Sequence, residues 1–185
     1  MEIKKEPGNH AKLRTIVWLV VVMVASATAV FLWRQSSDPY RGKMKAQRIS
    51  CVNNLKQLGL ALRVWSGDND DKYPFNVSTN SGGAMELCTA DHEGFILNPT
   101  GIFKAIQWEL STPRILVCPK DRKRQAAPNF ETLSNENITY RIRELTNVTE
   151  NPPVVLIVCP IDGHILYSDG SVTGDDMDPN AMRVP

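Results

Sequence analysis

The sequence has little of what most enzymes and nucleic-acid-binding proteins use. Only three histidines occur among 185 residues, and no G-x-S-x-G, Walker, dinucleotide-binding or H-E-x-x-H motif is present. The formal net charge of +1 gives no electrostatic basis for binding nucleic acid. We therefore predict a protein that is not an enzyme and has no nucleic-acid partner.

Cysteine is also scarce, and the four cysteines form no C-x-x-C pair. Their spacing matches neither a zinc finger nor a zinc ribbon, so we predict no cofactor that they would bind. Small buried side chains explain them adequately. In an exported domain one pair can instead oxidise, and the sequence permits three full connectivities. The four are Cys51, Cys88, Cys118 and Cys159.

One histidine lies near residues that suggest a catalytic triad. His164 follows Asp162 and precedes Ser168 and Asp169. Neighbours on one hairpin rarely converge as nucleophile, base and orienting group. We therefore interpret these residues as the polar cluster of a hairpin.

The chain does contain a long apolar run, Thr15–Trp33, which is 19 residues without a charge. A helix of that length approaches the bilayer core thickness of about 30 Å. Trp18 and Trp33 lie near its ends, where indoles favour the membrane interface. We predict a single-pass anchor in the inner (cytoplasmic) membrane, in contact with the lipid bilayer, with the C-terminal domain in the periplasm. The small residues Ala27-Thr28-Ala29 leave signal cleavage after Ala29 open as an alternative.

The segment Met44–Trp65 predicts a long amphipathic helix on which the domain is built. Asp38-Pro39 predicts its start and Ser66-Gly67 its end. One row of side chains recurs at helical spacing, and a second row widens the apolar stripe. The first row is Met44, Arg48, Cys51, Leu55, Leu58, Leu62 and Trp65, and the second is Ile49, Val52 and Leu60.

The rest of the chain predicts a loop, a short helix and several strands. Residues 76–100 predict an ordered loop, and Gly101–Leu110 a helix capped by Thr100 that buries Ile102, Phe103, Ile106 and Leu110. Strands are predicted at 114–118, 138–142, 154–159, 164–168 and 171–173, with a hairpin turn at Asp169-Gly170. The fold class is therefore α+β: a transmembrane helix continuing into a long amphipathic helix packed on a small antiparallel β-sheet. The predicted divisions are a cytoplasmic head 1–14, an anchor 15–33, a joint 34–42, an exported domain 43–173 and an acidic tail 174–185.

Two acidic clusters offer oxygen ligands for calcium. Asp68, Asp70 and Asp71 follow the long helix, and Asp175, Asp176 and Asp178 lie in the tail. Calcium takes six to eight oxygens, and neither cluster carries the remaining positions of an EF-hand. We retain the first cluster as a candidate calcium site and interpret both primarily as solvated loops.

The segment AQRISCVNNLKQLGLALRVWSGDNDDKYP (46–74) resembles the type II secretion pseudopilin-like, prepilin-type proteins of planctomycete and verrucomicrobial bacteria. The likeness extends to STNSGGAMEL (78–87), ELSTPRILVCPKD (109–121) and YSDGSV (167–172). The N-terminal processing motif is degenerate, because Gly8 is followed by Asn9 and Leu13 stands where a prepilin has glutamate.

The resemblance implies a pilin-like fold and a subunit that assembles with other pseudopilin-like subunits or with secretion machinery. Our first hypothesis is accordingly a non-enzymatic, membrane-anchored structural protein linked to type II secretion or to a type IV pilus-like machinery. The second hypothesis is an anchored extracytoplasmic module that binds a ligand or calcium.

Overall fold

The computed structural model describes residues 9–36, 39–145 and 152–173. The chain divides into two compact units, Met1–Met44 and Lys45–Pro185. Its α-helices are α1 (Asn9–Ser36), α2 (Pro39–Gly67) and α3 (Thr100–Ala105). Its strands are β1 (Arg141–Ile142), β2 (Val155–Val158), β3 (Ile165–Tyr167) and β4 (Val172–Thr173). Short 3-10 helices cover Pro74–Asn76, Thr79–Ser81, Met85–Leu87, Pro113–Leu116 and Asn135–Asn137.

Helix α1 carries the long apolar run and buries none of it. Its large apolar side chains, from Leu13 to Trp33, are each between 50% and 74% exposed. Among the described residues, one helical stretch near the N-terminus is long and apolar enough to cross a membrane. The structure thus contains the long apolar helix that the sequence predicts, with the length and composition that a membrane span requires.

Helix α2 supplies one wall of the hydrophobic core. The row of apolar residues at helical spacing is buried from Cys51 onward and includes Leu55, Leu58, Leu62 and Trp65. The predicted second row is wrong in part, since Ile49 is 53% and Leu60 is 64% exposed. At the next position Ala61 is buried, whereas Leu60 points to solvent. The buried face of α2 is therefore narrower than the predicted stripe.

Gly59 allows α2 to approach the sheet closely. A Cβ atom at this position would lie 2.9 Å from Cδ2 of Leu166, which is completely buried in β3. One turn further along, Nη2 of Arg63 donates to the backbone oxygen of Ser168 at 2.6 Å. The predicted packing of the long helix on the sheet is therefore confirmed in the second half of α2.

The four strands form an antiparallel sheet in the order β1-β2-β3-β4. Val154–Cys159 was predicted as a central strand, and β2 does pair with β1 on one side and β3 on the other. The β3–β4 hairpin turns at Asp169-Gly170 as predicted, with the Gly170 N–H donating to the Tyr167 oxygen at 2.9 Å. The fold is a mixed α+β arrangement with a small antiparallel sheet, as the sequence predicts.

Three local predictions are wrong. Residues 114–118 were predicted as a strand, but Pro113 fixes φ and the Thr112 side chain accepts from the Arg114 N–H, which starts a 3-10 turn instead. The strand predicted at 138–142 is reduced to β1, since the Thr139 N–H donates to the Leu116 oxygen outside the sheet. Thr100 is the first residue of α3 rather than its cap, which is Pro99.

Helix α3 is shorter than predicted, but the apolar side chains predicted for its buried face are buried. Ile102, Phe103, Ile106 and Leu110 are all buried in the core, although α3 ends at Ala105. Helix α2 begins at Pro39 and ends at Gly67, where the sequence predicts its ends. Asp38, residues 1–8 and the tail with Asp175, Asp176 and Asp178 lie outside the described residues.

Candidate metal centre

Three of the four cysteines meet in the core of the domain. The sulfurs of Cys51, Cys118 and Cys159 all lie within 4.8 Å of one another, and each residue is completely buried. The Sγ atoms of Cys51 and Cys118 are 3.7 Å apart, and all four cysteines are free thiols. Cys88 is half-buried and stands outside this group.

Each sulfur comes from a different part of the fold. Cys51 is the first wholly buried residue of α2, Cys118 follows the 3-10 turn Pro113–Leu116, and Cys159 follows β2. The hydroxyl of Tyr140 donates to Cys51 Sγ at 3.7 Å and accepts from Asn54 Nδ2 at 3.3 Å. The cluster thus joins the helix, the sheet and the irregular middle of the chain.

Cys118 and Cys159 begin two turns of the same sequence pattern, Cys-Pro-x-Asp. In the first turn the Asp121 N–H donates to the Cys118 oxygen at 2.8 Å, and the Thr139 hydroxyl accepts from the Cys118 N–H at 3.2 Å. That hydroxyl also donates to Asp121 Oδ2 at 2.8 Å. Asp121 therefore fixes the shape of the turn that carries the Cys118 sulfur.

The second turn places an imidazole and a carboxylate beside Cys51, in a second group that shares only this cysteine with the three sulfurs. The Cys159 N–H donates to the His164 oxygen at 2.9 Å, beside the last β2–β3 pair. Gly163, at φ 74°, closes this turn in the left-handed region and donates to the Cys159 oxygen. A nitrogen of His164 and an oxygen of Asp162 each come within 4.8 Å of the Cys51 sulfur.

His164 and Asp162 are both buried and retain unused hydrogen-bonding capacity. Their side chains are only 2% and 5% exposed, and His164 Nδ1 lies 3.4 Å from Asp162 Oδ2. Neither of these two atoms makes a hydrogen bond in the described structure. The other oxygen, Asp162 Oδ1, pairs with the Lys120 ammonium of the first turn. Buried polar atoms of this kind call for a partner.

Hydrogen bonds between the thiols and burial of the imidazole shift the pKa values of these groups in different directions. Hydrogen bonds from Cys159 and Cys51, together with backbone N–H groups of Lys120 and Asp121, lower the pKa of Cys118 well below that of a free thiol. The hydrogen bond to Cys118 raises the pKa of Cys51 and of Cys159. Burial lowers the pKa of His164, opposed by the charge of Asp162. Thiolate and neutral imidazole are the forms that bind metals.

The candidate calcium ligands and Ser168, which the sequence singled out, lie outside the cysteine cluster. Asp68, Asp70 and Asp71 lie in an exposed turn after α2, where Asp70 and Asp71 have positive φ angles. They do not belong to the groups of ligand atoms that converge among the described residues. Calcium binding there stays a prediction. Ser168 uses its hydroxyl to accept from the Val154 N–H at 3.1 Å.

Sequence reasoning missed the cysteine cluster because it searched for C-x-x-C pairs. The usable signal was the repeated Cys-Pro-x-Asp tetrapeptide at 118–121 and 159–162, which follows an apolar run in both places. His164, two residues after the second copy, adds a further potential metal ligand. The short distances between ligands in zinc-binding motifs do not reveal this cluster, since the third sulfur comes from Cys51 in helix α2, 67 residues before Cys118.

Comparison of the chain with protein families, with curated proteins and with solved structures finds no match. Three buried sulfurs and a buried imidazole are ligand types that suit a soft divalent metal.

Proposed function

We propose that this chain is a non-enzymatic, pseudopilin-like structural protein that anchors an α+β domain to the inner membrane and displays it in the periplasm. The observation that carries the proposal is the unburied apolar surface of α1. Each large apolar side chain left in water forgoes about 1.5–3 kcal/mol of burial energy. A lipid bilayer supplies that burial along the uncharged run from Thr15 to Trp33.

The polar groups of α1 are compatible with hydrocarbon. The hydroxyls of Ser26 and Thr28 donate to the backbone oxygens of Met23 and Ala25, at 2.9 Å in both cases. A bilayer requires every polar group within it to find such an internal partner. These bonds support a helix that remains in the membrane.

The role that we propose for the domain is structural. Its core is built around α2, with Leu55, Leu58 and Leu62 completely buried against the sheet and the middle of the chain. Charged Lys12 and Arg14 precede the apolar run, and charges are costly where subunits pack in hydrocarbon-like surroundings. We therefore assign α1 the role of a tether, and we place contacts with other pseudopilin-like subunits or secretion machinery on the domain.

Expression of the full chain in a bacterial host, with a C-terminal tag, tests the proposal. We expect the intact chain in the membrane fraction after alkaline extraction, and digestion of its domain when protease is added to spheroplasts. The double variant Met23→Arg, Val24→Arg places two charges near the helix centre, where inserting each into a membrane costs about 2.5–3.5 kcal/mol. This variant should lose membrane integration.

The matched control is Ser111→Arg, which adds a charge to an exposed position of the domain and should leave fractionation unchanged. Recovery of the intact unmodified chain from the cytosol would contradict the proposal. A periplasmic product starting after Ala29 would replace the anchor with a cleaved signal. Site-specific photo-crosslinking from the exposed side chain of Leu97 then tests for partner subunits.

A further inference from the structure

We propose that Cys51, Cys118, Cys159 and His164 bind one zinc ion inside the domain, and that the ion holds α2 against the two Cys-Pro-x-Asp turns. The ligand class is a thiophilic divalent metal, with three thiolates and one imidazole. This inference is independent of the proposed membrane function, because it rests only on the core of the domain.

The separation of the sulfurs is the first argument. Tetrahedral zinc with bonds of about 2.3 Å places two sulfurs about 3.8 Å apart. Cys51 and Cys118 are 3.7 Å apart, against about 2.05 Å in a disulfide. Two thiols in simple contact are separated by a similar distance. The third sulfur is therefore what favours a metal site. A disulfide uses two cysteines and leaves the third without a role, whereas a metal uses all three.

The histidine is the second and independent argument. His164 is 2% exposed at its side chain, and one of its ring nitrogens lies within 4.8 Å of the Cys51 sulfur, in a group with Asp162. Structural zinc sites are closed by four protein ligands, and the imidazole beside the Cys51 sulfur is the ligand we assign to the fourth position. His164 Nδ1 makes no hydrogen bond in the described structure and lies 3.4 Å from Asp162 Oδ2, so the carboxylate is placed to orient the ring through Nδ1–H while Nε2 binds the metal. Carboxylates commonly orient metal-bound histidines in this way.

The turns supply the third argument. Each turn is fixed by its own backbone hydrogen bond, from the Asp121 N–H to the Cys118 oxygen at 2.8 Å and from the Gly163 N–H to the Cys159 oxygen at 2.9 Å. The two cysteines are therefore held in place by their turns. Binding releases the thiol protons to solvent, and no redox change is involved. The ion pair of Lys120 with Asp162 links the two turns from outside the cluster.

The full chain, purified in detergent with reductant and without chelator, provides the test. We expect one zinc per chain by elemental analysis, and Co²⁺ substitution should give strong sulfur-to-cobalt charge-transfer absorption. The variants Cys51→Ser, Cys118→Ser and Cys159→Ser should each lose the metal. Cys88→Ser, which removes the cysteine outside the cluster, is the matched control and should keep it.

Two further variants test the fourth ligand. His164→Ala should abolish tight binding, and Asp162→Asn should weaken zinc affinity about 10- to 100-fold. Because the cysteine variants can fail to fold, the unmodified chain is also melted with and without a strong chelator, and metal removal should lower its Tm.

The proposal is overturned by any of four results. These are a Tm unaffected by chelator, zinc content equal in Cys118→Ser and Cys88→Ser, a Cys51–Cys118 disulfide in protein isolated under non-reducing conditions, or the visible absorption of an iron–sulfur cluster. A His164→Ala variant that binds zinc as tightly as the unmodified chain overturns the assignment of the fourth ligand.

Discussion

The burial of α2 allows one substitution to be compared at two neighbouring positions. Leu58 is completely buried and Leu60 is 64% exposed, so Leu58→Ala and Leu60→Ala delete the same atoms in opposite environments. Removing the outer carbons of a buried leucine loses about 0.8 kcal/mol of transfer energy for each, or about 2.4 kcal/mol. A residual cavity raises the expected cost of Leu58→Ala to about 2–5 kcal/mol.

Leu60→Ala should cost far less. With about a third of its side chain covered, the transfer loss is below about 1 kcal/mol, and alanine's higher helix propensity offsets part of it. The assay is urea titration of the full chain in detergent followed by pulse proteolysis, which reports the unfolded fraction of the domain. Equal midpoint shifts for the two variants, or a larger shift for Leu60→Ala, would refute the orientation of α2.

Three more predictions follow from contacts in the same domain. Gly59→Val should destabilise the domain by about 1–3 kcal/mol, because its side chain meets buried Leu166, whereas Leu60→Val on the solvent side should be nearly neutral in the same urea assay. Thr139→Ala should cost about 1–3 kcal/mol by leaving the buried Cys118 N–H without its acceptor, and Thr139→Ser should restore most of that loss; equal midpoints for the two variants would contradict this role. The Ser78 hydroxyl and the Thr79 N–H lower the pKa of Glu86 to about 2, from an ordinary value of 4.5. The stability that Glu86 contributes is therefore present above its unfolded pKa and is lost as pH falls toward about 2. Carboxyl NMR titration should show this low midpoint, and Ser78→Ala should raise it; an unchanged midpoint in that variant would assign the effect elsewhere.

Periodicity in the sequence was enough to predict the elements whose signal is local and continuous. Helix α2 repeats its buried residues over four turns, and β2 is an unbroken apolar run, so each was predicted with nearly correct ends. The Asp169-Gly170 turn was equally readable, because few dipeptides suit a tight hairpin.

The errors arose where neighbours in space override the local pattern. Residues 114–118 have the composition of a strand, but they pair with no strand among the described residues, and Pro113 begins a turn. Leu60 fits a helical stripe in sequence, yet the sheet is narrow and covers only the face around Gly59. An apolar residue in a helical pattern does not show how wide the surface is against which the helix packs.

The cysteine cluster was beyond the reach of spacing arguments for a related reason. Cys51 and Cys118 are 67 positions apart, and they become neighbours only when α2 packs across the turns. Conversely, Asp68, Asp70 and Asp71 are adjacent in sequence but stay in an exposed turn. Proximity along the chain was a poor guide to proximity in space at both sites.

The order of the cluster's residues along the chain also governs when it can form. Cys51 lies near the start of the domain, whereas Cys159 and His164 lie near its end. A domain that crosses a membrane N-terminus first exposes the Cys51 thiol to the receiving compartment before its partners have emerged. For that interval the thiol is open to oxidants, and it becomes protected only after the last hairpin arrives. If the domain is exported as proposed, the final steps of translocation determine whether the first cysteine is oxidised or protected.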